Sequence, residues 1–378
     1  MPAAARSTLA DTELGVYVHF PWCAKKCPYC DFNSHPRPAE LPESEYLAAL
    51  TRDLSTMLAG HAGAVGSVFC GGGTPSLFSP RAFAELLKVL GPRLTPGAEI
   101  TMEANPGATE HGELPAYRQA GINRLSFGAQ SFDQTALQAL GRIHDDADIV
   151  DSFVSARRAG FENINVDLMY GLPGQLPDQA LADLQRAIDL EPDHISWYQL
   201  TIEPKTEFAR RPPVLPIDSQ LQETEERGLA LLETSGYERY EVSAFARPGH
   251  RCAHNLNYWR FGNYLGVGAG AHGKIQRDGV TLRTQKVKQP RLYLADPVAT
   301  STTQVPARAL PGEFMLNALR LRDGVSFDTF TARTGLSKDV ISDRWRRLCV
   351  QGLVQADRIA TTALGYRYVD SIVSEFLD

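Results

Sequence analysis

The sequence predicts an α/β protein whose parallel sheet closes into a partial (β/α)6 barrel, followed by a smaller C-terminal α+β domain of winged-helix type. Three observations carry this. Between residues 15 and 205, strand-like apolar runs alternate with helical segments, the pattern of βα units and so of a parallel sheet. Several of the strand-like runs end in turn chemistry: Gly71-Gly72-Gly73-Thr74-Pro75, Asn105-Pro106-Gly107 and Gly171-Leu172-Pro173-Gly174. The chain has 378 residues, 43% hydrophobic and 22% charged, which is an ordinary globular composition with room for two or three domains. An open, doubly wound sheet is the structural alternative.

In chain order, residues 1–14 read as a tail and 15–216 as the barrel. Its six strands fall at 15–20, 67–70, 99–104, 123–130, 161–170 and 194–202, with helices at 43–58, 81–90, 112–120, 134–140, 147–159 and 177–190. Residues 217–285 form an accessory region completing the core: a charged helix at 219–235, a strand at 237–245 and a Gly-rich stretch at 262–273. Polar and proline residues make 286–305 a linker. In 306–378, helical runs at 311–321, 326–334 and 338–351 precede a small hairpin, the winged-helix pattern, which is expected to cap the barrel mouth.

Net charge is −6, from 38 basic and 44 acidic residues, which argues against a broad nucleic-acid surface. No apolar run approaches ~18 residues, so no membrane span is expected. Residues 1–10 are Ala-rich without an apolar signal core. Cys70, Cys252 and Cys349 stand singly, which suits a reducing cytoplasm better than a disulfide framework. Cys70 reads as packed in its strand, and His61 and His111 as exposed.

The most informative stretch is Val18-His19-Phe20-Pro21-Trp22-Cys23-Ala24-Lys25-Lys26-Cys27-Pro28-Tyr29-Cys30-Asp31-Phe32. Half of the six cysteines stand here at C-x3-C-x2-C spacing, on the loop after the first strand. In a β/α barrel that is the end where chemistry is done. Three thiols cannot all pair as disulfides. A structural zinc site is closed by four ligands, which His35 would have to complete. Iron–sulfur clusters normally take four thiolates, so three would leave one iron open to hold a small molecule.

This spacing, with Tyr29 before the last cysteine, resembles the radical S-adenosylmethionine (SAM) superfamily. The resemblance implies a [4Fe–4S] cluster on Cys23, Cys27 and Cys30. It implies SAM chelated to the fourth iron and cleaved to a 5′-deoxyadenosyl radical. The wider word H-F-P-W-C-x-K-K-C-P-Y-C-D-F-N-S-H is similar to the oxygen-independent coproporphyrinogen III oxidase family, and within it to a branch of heme chaperones.

Further motifs fit the same family. On its own, Gly71-Gly72-Gly73-Thr74-Pro75 is a tight turn whose glycines allow close backbone approach; the resemblance implies that Gly72, Gly73 and Thr74 hold SAM. Glu103, at the end of the third strand, reads either as a surface acid or as an acceptor for ribose or ammonium; the family places a SAM contact there. Gln130 in Phe127-Gly128-Ala129-Gln130 and Arg142 in Leu140-Gly141-Arg142-Ile143-His144 match two more contacts. A guanidinium fork suits a carboxylate. Asp167 is an acid in an apolar strand that needs a partner, and Tyr17 precedes the cysteine loop; the resemblance makes both SAM contacts, with Tyr29.

In the enzymatic branch another cysteine stands two residues after the third ligand, where this chain has Phe32. Little room precedes Cys23 for that branch's longer N-terminal extension. His254-Asn255-Leu256-Asn257-Tyr258-Trp259 fits H-N-x-x-Y-W, a signature associated with the chaperone branch. Imidazole can ligate heme iron and aromatic rings can stack on the macrocycle, so His254 is the candidate heme ligand, with Cys252 and His250 beside it as substitutes. The same residues would also serve to pack a domain edge. The expectation is a cytoplasmic heme-binding protein that passes heme to an acceptor protein, such as one of the respiratory chain. It would need an electron donor and bind no nucleic acid, with the oligomeric state left open, a homodimer included. The alternative is an oxidase converting two propionates of coproporphyrinogen III to vinyls, giving protoporphyrinogen IX.

Overall fold

The computed structural model describes residues 14–107 and 114–377. The expectations for residues 1–13, for His111 and for the start of the helix at 112 lie outside the described residues. Six strands follow one another in space in chain order, each parallel to the next: β1 (Leu14–Phe20), β2 (Val65–Gly72), β3 (Leu94–Ala104), β4 (Arg124–Gln130), β5 (Ile164–Tyr170) and β6 (His194–Gln199). Beyond β6, β7 (Glu238–Arg239) and β8 (Ala244–Ala246) add antiparallel, so the single strand expected at 237–245 is two short ones around a turn. On the other edge, β9 (Asn263–Val267) pairs parallel with β1 and is a seventh parallel strand. Beyond it β10 (His272–Arg277), β11 (Val280–Lys286) and β12 (Thr300–Gln304) continue antiparallel, making one twelve-stranded sheet.

The barrel strands follow a two-residue alternation. Val16, Val18 and Phe20 of β1, Leu125 and Phe127 of β4, and Val166 and Leu168 of β5 enter the apolar core that the surrounding helices cover. The opposite parity faces the lumen and is polar: Arg124, Ser126 and Gln130; Asn165 and Asp167; His194, Ser196 and Tyr198. Helix starts are capped where the sequence supplies an oxygen. Ser79 caps Pro80–Leu90, and Asp145 with Asp148 forms a capping box on Asp146–Arg158.

Residues 286–305, read from composition as a linker, carry the helix Pro290–Ala295 and the edge strand β12. The reason is a buried ion pair. Lys286 Nζ lies 2.5 Å from Asp53 Oδ1 of the helix Glu43–Ala59, both side chains being at most 1% exposed. Tyr293 OH donates to Asp53 Oδ2 at 2.8 Å, and Lys286 also donates to Thr300 Oγ1 at 2.7 Å.

A second core gathers Leu310, Phe314, Phe330, Trp345, Ile359 and Phe376 from the helices Leu310–Ala318, Phe327–Thr334 and Asp339–Val350 and the segment after them. The hairpin is reduced to isolated bridges, Val325 to Ile359 and Val354 to Thr361. This unit was expected over the barrel mouth. Its contacts instead run to Phe261, Leu256 and Trp259, on and after the helix Ala253–Trp259, and through Arg283–Glu313 to the outer strands. Apolar burial decides the placement, since Phe261 packs edge-on to Phe314 with centroids 5.5 Å apart.

Lys286→Met leaves Asp53 buried without its counter-charge. It is expected to lower stability by about 3–5 kcal/mol in urea denaturation followed by far-UV circular dichroism. A loss within ~0.5 kcal/mol would mean that this pair does not anchor the strand extension.

Candidate functional site

The cysteine loop leaves β1 at Pro21 and is tied down at both ends. Trp22 and Cys23 pair in parallel with His35 and Pro36. Lys26 Nζ donates to Ser34 O at 2.9 Å, across the chord of the loop. Asn33 Nδ2 donates to Ala269 O at 2.9 Å and Lys288 O at 2.8 Å, which fastens the far end to the Gly-rich segment. The turn after β2 holds the near end: Gly73 N donates to Phe20 O at 2.6 Å and Thr74 N to Trp22 O at 2.8 Å. A Cβ on Gly73 would stand 2.5 Å from Trp22 O, and one on Gly71 2.8 Å from Glu103 Oε2. Gly72 has φ +108°, a conformation that favours glycine, and its amide donates to Glu103 Oε2 at 2.9 Å.

Cys23, Cys27 and Cys30 are therefore half-buried thiols at the mouth of the lumen. Burial pushes the Cys23 and Cys30 thiols up, partly offset by hydrogen bonds from Thr74 and Ser34 respectively. A chain of polar contacts runs from the glycine turn to Cys27. Asn105 Nδ2 donates to Thr74 Oγ1 at 2.8 Å, Arg142 Nη2 donates to Asn105 Oδ1 at 2.7 Å, and Arg142 Nη1 reaches Cys27 Sγ at 3.7 Å.

Below the loop, Glu103 has its pKa raised from 4.5 to about 7, by burial first and by the nearby Asp167 second, against the Gly72 amide. Asp167 is also raised by burial, while Asn165 Nδ2 at 2.7 Å and Ser126 Oγ at 3.2 Å donate to it. Gln130 is held at φ 70°, and Tyr198 OH donates to its Oε1 at 2.8 Å. His19 hydrogen-bonds Tyr17 OH at 2.9 Å and Asn33 O at 2.9 Å; burial lowers its pKa to about 4.

One cavity of about 380 Å³ is lined by Cys23, Cys27, Tyr29 and Cys30, by Gly72, Gly73 and Thr74, and by Glu103, Gln130, Arg142 and Asp167. Tyr17 stacks on its wall residue Phe69, centroids 6.4 Å apart. His254 is not part of this set. It is 1% exposed, stacks on Phe69 at 5.2 Å, meets Tyr258 edge-on at 4.8 Å and bonds Ser67 Oγ through Nδ1 at 3.0 Å. The helix that carries it plugs the lumen floor, its first amides (Ala253 and His254) donating to Glu99. A ring enclosed this way presents no face to a porphyrin. Of its suggested substitutes, Cys252 is buried beside Glu99, and His250 lies 4.0 Å from Asp193.

Among the described residues no three His, Cys, Asp or Glu side chains converge on one metal-ion position. Three thiols suit a multi-iron cluster, in which each thiolate serves a different iron, with a guanidinium near Cys27 to balance thiolate charge. The sequence reading passed over Arg124, Asn105, Ser126, Asn165 and Tyr198, all on the cavity wall. The signal for Arg124, Ser126, Asn165 and Tyr198 was the polar parity of β4, β5 and β6, whereas Asn105 sits in the turn after β3, outside that pattern.

Such a barrel and thiol loop define a radical SAM protein, and residues 17–187 match the radical SAM superfamily, with 305–365 matching the HemN C-terminal domain. The chain is 46% identical over 370 residues to "Heme chaperone HemW" of Escherichia coli K12, covering 96% of this chain and 98% of that one. It is 36% identical over 337 residues to "Heme chaperone HemW" of Bacillus subtilis, covering 85% and 87%. The solved coproporphyrinogen III oxidase HemN of E. coli, described as a radical SAM enzyme, superposes with TM-score 0.80 at 25% identity, covering 98% of this chain and 91% of that one. The chain belongs to the HemW family of heme chaperones within the radical SAM superfamily.

The buried carboxyl of Glu103 implies a stability cost with a definite sign. Between its ordinary pKa of 4.5 and its folded value of about 7, the folded state holds a proton that the unfolded state has released. Stability therefore falls as pH rises through this window, by up to about 3 kcal/mol at about 1.4 kcal/mol per pH unit. Glu103→Gln keeps an acceptor for the Gly72 amide and removes the charge. In urea denaturation of the cluster-free protein it is expected to exceed the parent at pH 8 and to match it near pH 4.5. Equal stability at both pH values would contradict the assignment.

Proposed function

We propose that this protein binds heme and hands it to an acceptor protein, with a [4Fe–4S] cluster on Cys23, Cys27 and Cys30 and SAM on the open iron in the lumen mouth. The observation that carries the reading is the near full-length likeness to heme chaperones, in a chain whose three thiols share a cavity with Gly72, Gly73, Thr74, Glu103, Gln130, Arg142 and Asp167. When bound, the cluster and SAM supply one-electron chemistry. The chain's own residues bind and orient. The turn at Gly72–Thr74 would offer backbone to SAM's amino group. Glu103 and Asp167 offer acceptors to its ammonium and ribose. Arg142, steadied by Asn105, stands ready for its carboxylate. Tyr17, Tyr29 and Gln130 complete the contacts, Gln130 held by Tyr198.

Work of this kind calls for an electron donor and suits the cytoplasm; a respiratory-chain protein is a fitting acceptor. Among the described residues no helix is long and apolar enough to cross a membrane. A second reading, oxidative decarboxylation of coproporphyrinogen III, is favoured by the likeness to HemN. Phe32, 59% exposed where the enzymatic branch has a cysteine, weighs against it.

The test is anaerobic. The reconstituted protein is given SAM, reductant and coproporphyrinogen III, and separately titrated with hemin. Saturable hemin binding without vinyl product is the expected result. Protoporphyrinogen formed in step with 5′-deoxyadenosine would make the protein an oxidase. Cys23→Ala is expected to abolish the [4Fe–4S] electron paramagnetic resonance signal; a normal signal would refute the ligand assignment.

A further inference from the structure

Lys25, Cys27, Thr74, Asn105 and Arg142 line two cavities, so the cysteine loop is the wall between the lumen and a larger lateral cavity of about 700 Å³. We propose that this lateral cavity is the docking site of the tetrapyrrole, with His144 facing the iron and Lys25 and Arg37 receiving the propionates. The proposal rests on the heme-carrier reading above and gives it a place on the molecule.

His144 carries the argument. The residue is 3% exposed and lines the cavity, and its Nε2 is bonded to Ala129 O at 3.0 Å. A carbonyl can only accept, so Nε2 carries the proton and Nδ1 is left with its lone pair. Nδ1 has no hydrogen-bond partner among the described residues, and His144 lines the cavity. A ring N–H donated to a carbonyl, with the other nitrogen free, is the usual arrangement of a metal-ligating histidine. The ring is also neutral at physiological pH, its pKa lowered to about 4 by burial and by Arg142. The other buried histidines do not offer this. His19 and His194 have both nitrogens engaged, and Nε2 of His254 is sealed in the floor.

The rim matches the rest of the ligand. Ile143, 70% exposed, and Leu77 supply apolar surface for a macrocycle. Lys25 and Arg37 are exposed and in no ion pair among the described residues. The acids of the same wall are already engaged: Glu43 accepts from Ser79 N at 2.7 Å and Ser79 Oγ at 2.6 Å, and Asp148 from Asp145 N at 3.1 Å. Those two carboxylates keep their charge but are held by the chain's own donors, so Lys25 and Arg37, in no ion pair among the described residues, are the groups a dianionic edge would meet. Its volume lies within the range of about 300–1,000 Å³ typical of ligand pockets.

The test titrates hemin and metal-free protoporphyrin IX into the full-length protein, followed by Soret absorbance, with iron and sulfide content as the check on the cysteine loop. His144→Gln is expected to weaken hemin binding about ten- to a hundredfold and move the Soret maximum, while leaving the metal-free porphyrin unaffected. Arg37→Glu is expected to weaken both porphyrins about five- to tenfold, and it serves alone should the His144 variant fail to fold. His254→Gln is expected to keep the parent's hemin spectrum. A His144→Gln protein with the parent's hemin affinity and spectrum, or an Arg37→Glu protein binding both porphyrins like the parent, would overturn the site. A parent protein with no saturable hemin binding would overturn the carrier reading and the site with it.

Discussion

Two backbone hydrogen bonds, from Gly73 N to Phe20 O and from Thr74 N to Trp22 O, fix the turn after β2 against the root of the cysteine loop. Much of the site follows from that clasp. The backbones approach so closely that a Cβ on Gly73 would press on two carbonyl oxygens. With the turn held there, the next amide back, Gly72 N, is free to point at Glu103. Thr74 Oγ1 then receives Asn105, which in turn holds Arg142 beside Cys27. A loop of three thiols would otherwise wander. Here its start is set by this turn and its end by Asn33 on the Gly-rich segment, so the thiols are placed before any cluster is present.

Most of the fold and most of the lumen site were legible because two periodicities coincide. Alternation of strand and helix gave the parallel sheet, and alternation within each strand put Tyr17, Glu103, Gln130 and Asp167 on one parity, all facing inward. The same rule, applied to every polar residue of β4 to β6, would have found Arg124, Asn165 and Tyr198. The failures have a different origin. β12, Thr-Ser-Thr-Thr-Gln, is an exposed edge strand with no apolar face to betray it. It forms because Lys286, eighteen residues before its end, is anchored by an acid more than two hundred residues earlier in the chain. His254 has the residue type and the aromatic neighbours of a ligand, and only depth distinguishes a ligand from a plug. Depth is a tertiary property that the motif does not encode.

The polar lumen carries a cost that an apolar barrel core would not. Arg124 is 2% exposed, its nearest carboxylate oxygen, on Glu99, is 3.8 Å away, and its Nε has no hydrogen-bond partner among the described residues. Glu103 and Asp167 share the same interior with their carboxyls pushed up by burial. Groups left this way lose hydration without full replacement. The apolar parity offsets that loss, since nearly every outward-facing residue of β1 to β6 sits in one continuous core. Such a division suits a protein whose lumen must stay chemically open while its outer layer holds the shape.

The two ends of the barrel are then built for opposite tasks. At the floor, Glu99 gathers the amides of Ala253 and His254 and the thiol of Cys252, and the second core closes over the same helix through Leu256, Trp259 and Phe261. Apolar contact and satisfied amides make that end a seal. At the mouth, the strands end in glycines, amides and half-buried thiols, with the exposed side chains of Lys25 and Arg37 beyond them. A C-terminal domain seated on the floor leaves the mouth and the lateral cavity to the cysteine loop, which faces both. Because Cys27 lines the lumen on one side and the cavity on the other, a change in the loop's position is felt in both places at once. Arg142 couples the two most directly, since it touches Cys27 and Asn105 and lies two residues from His144.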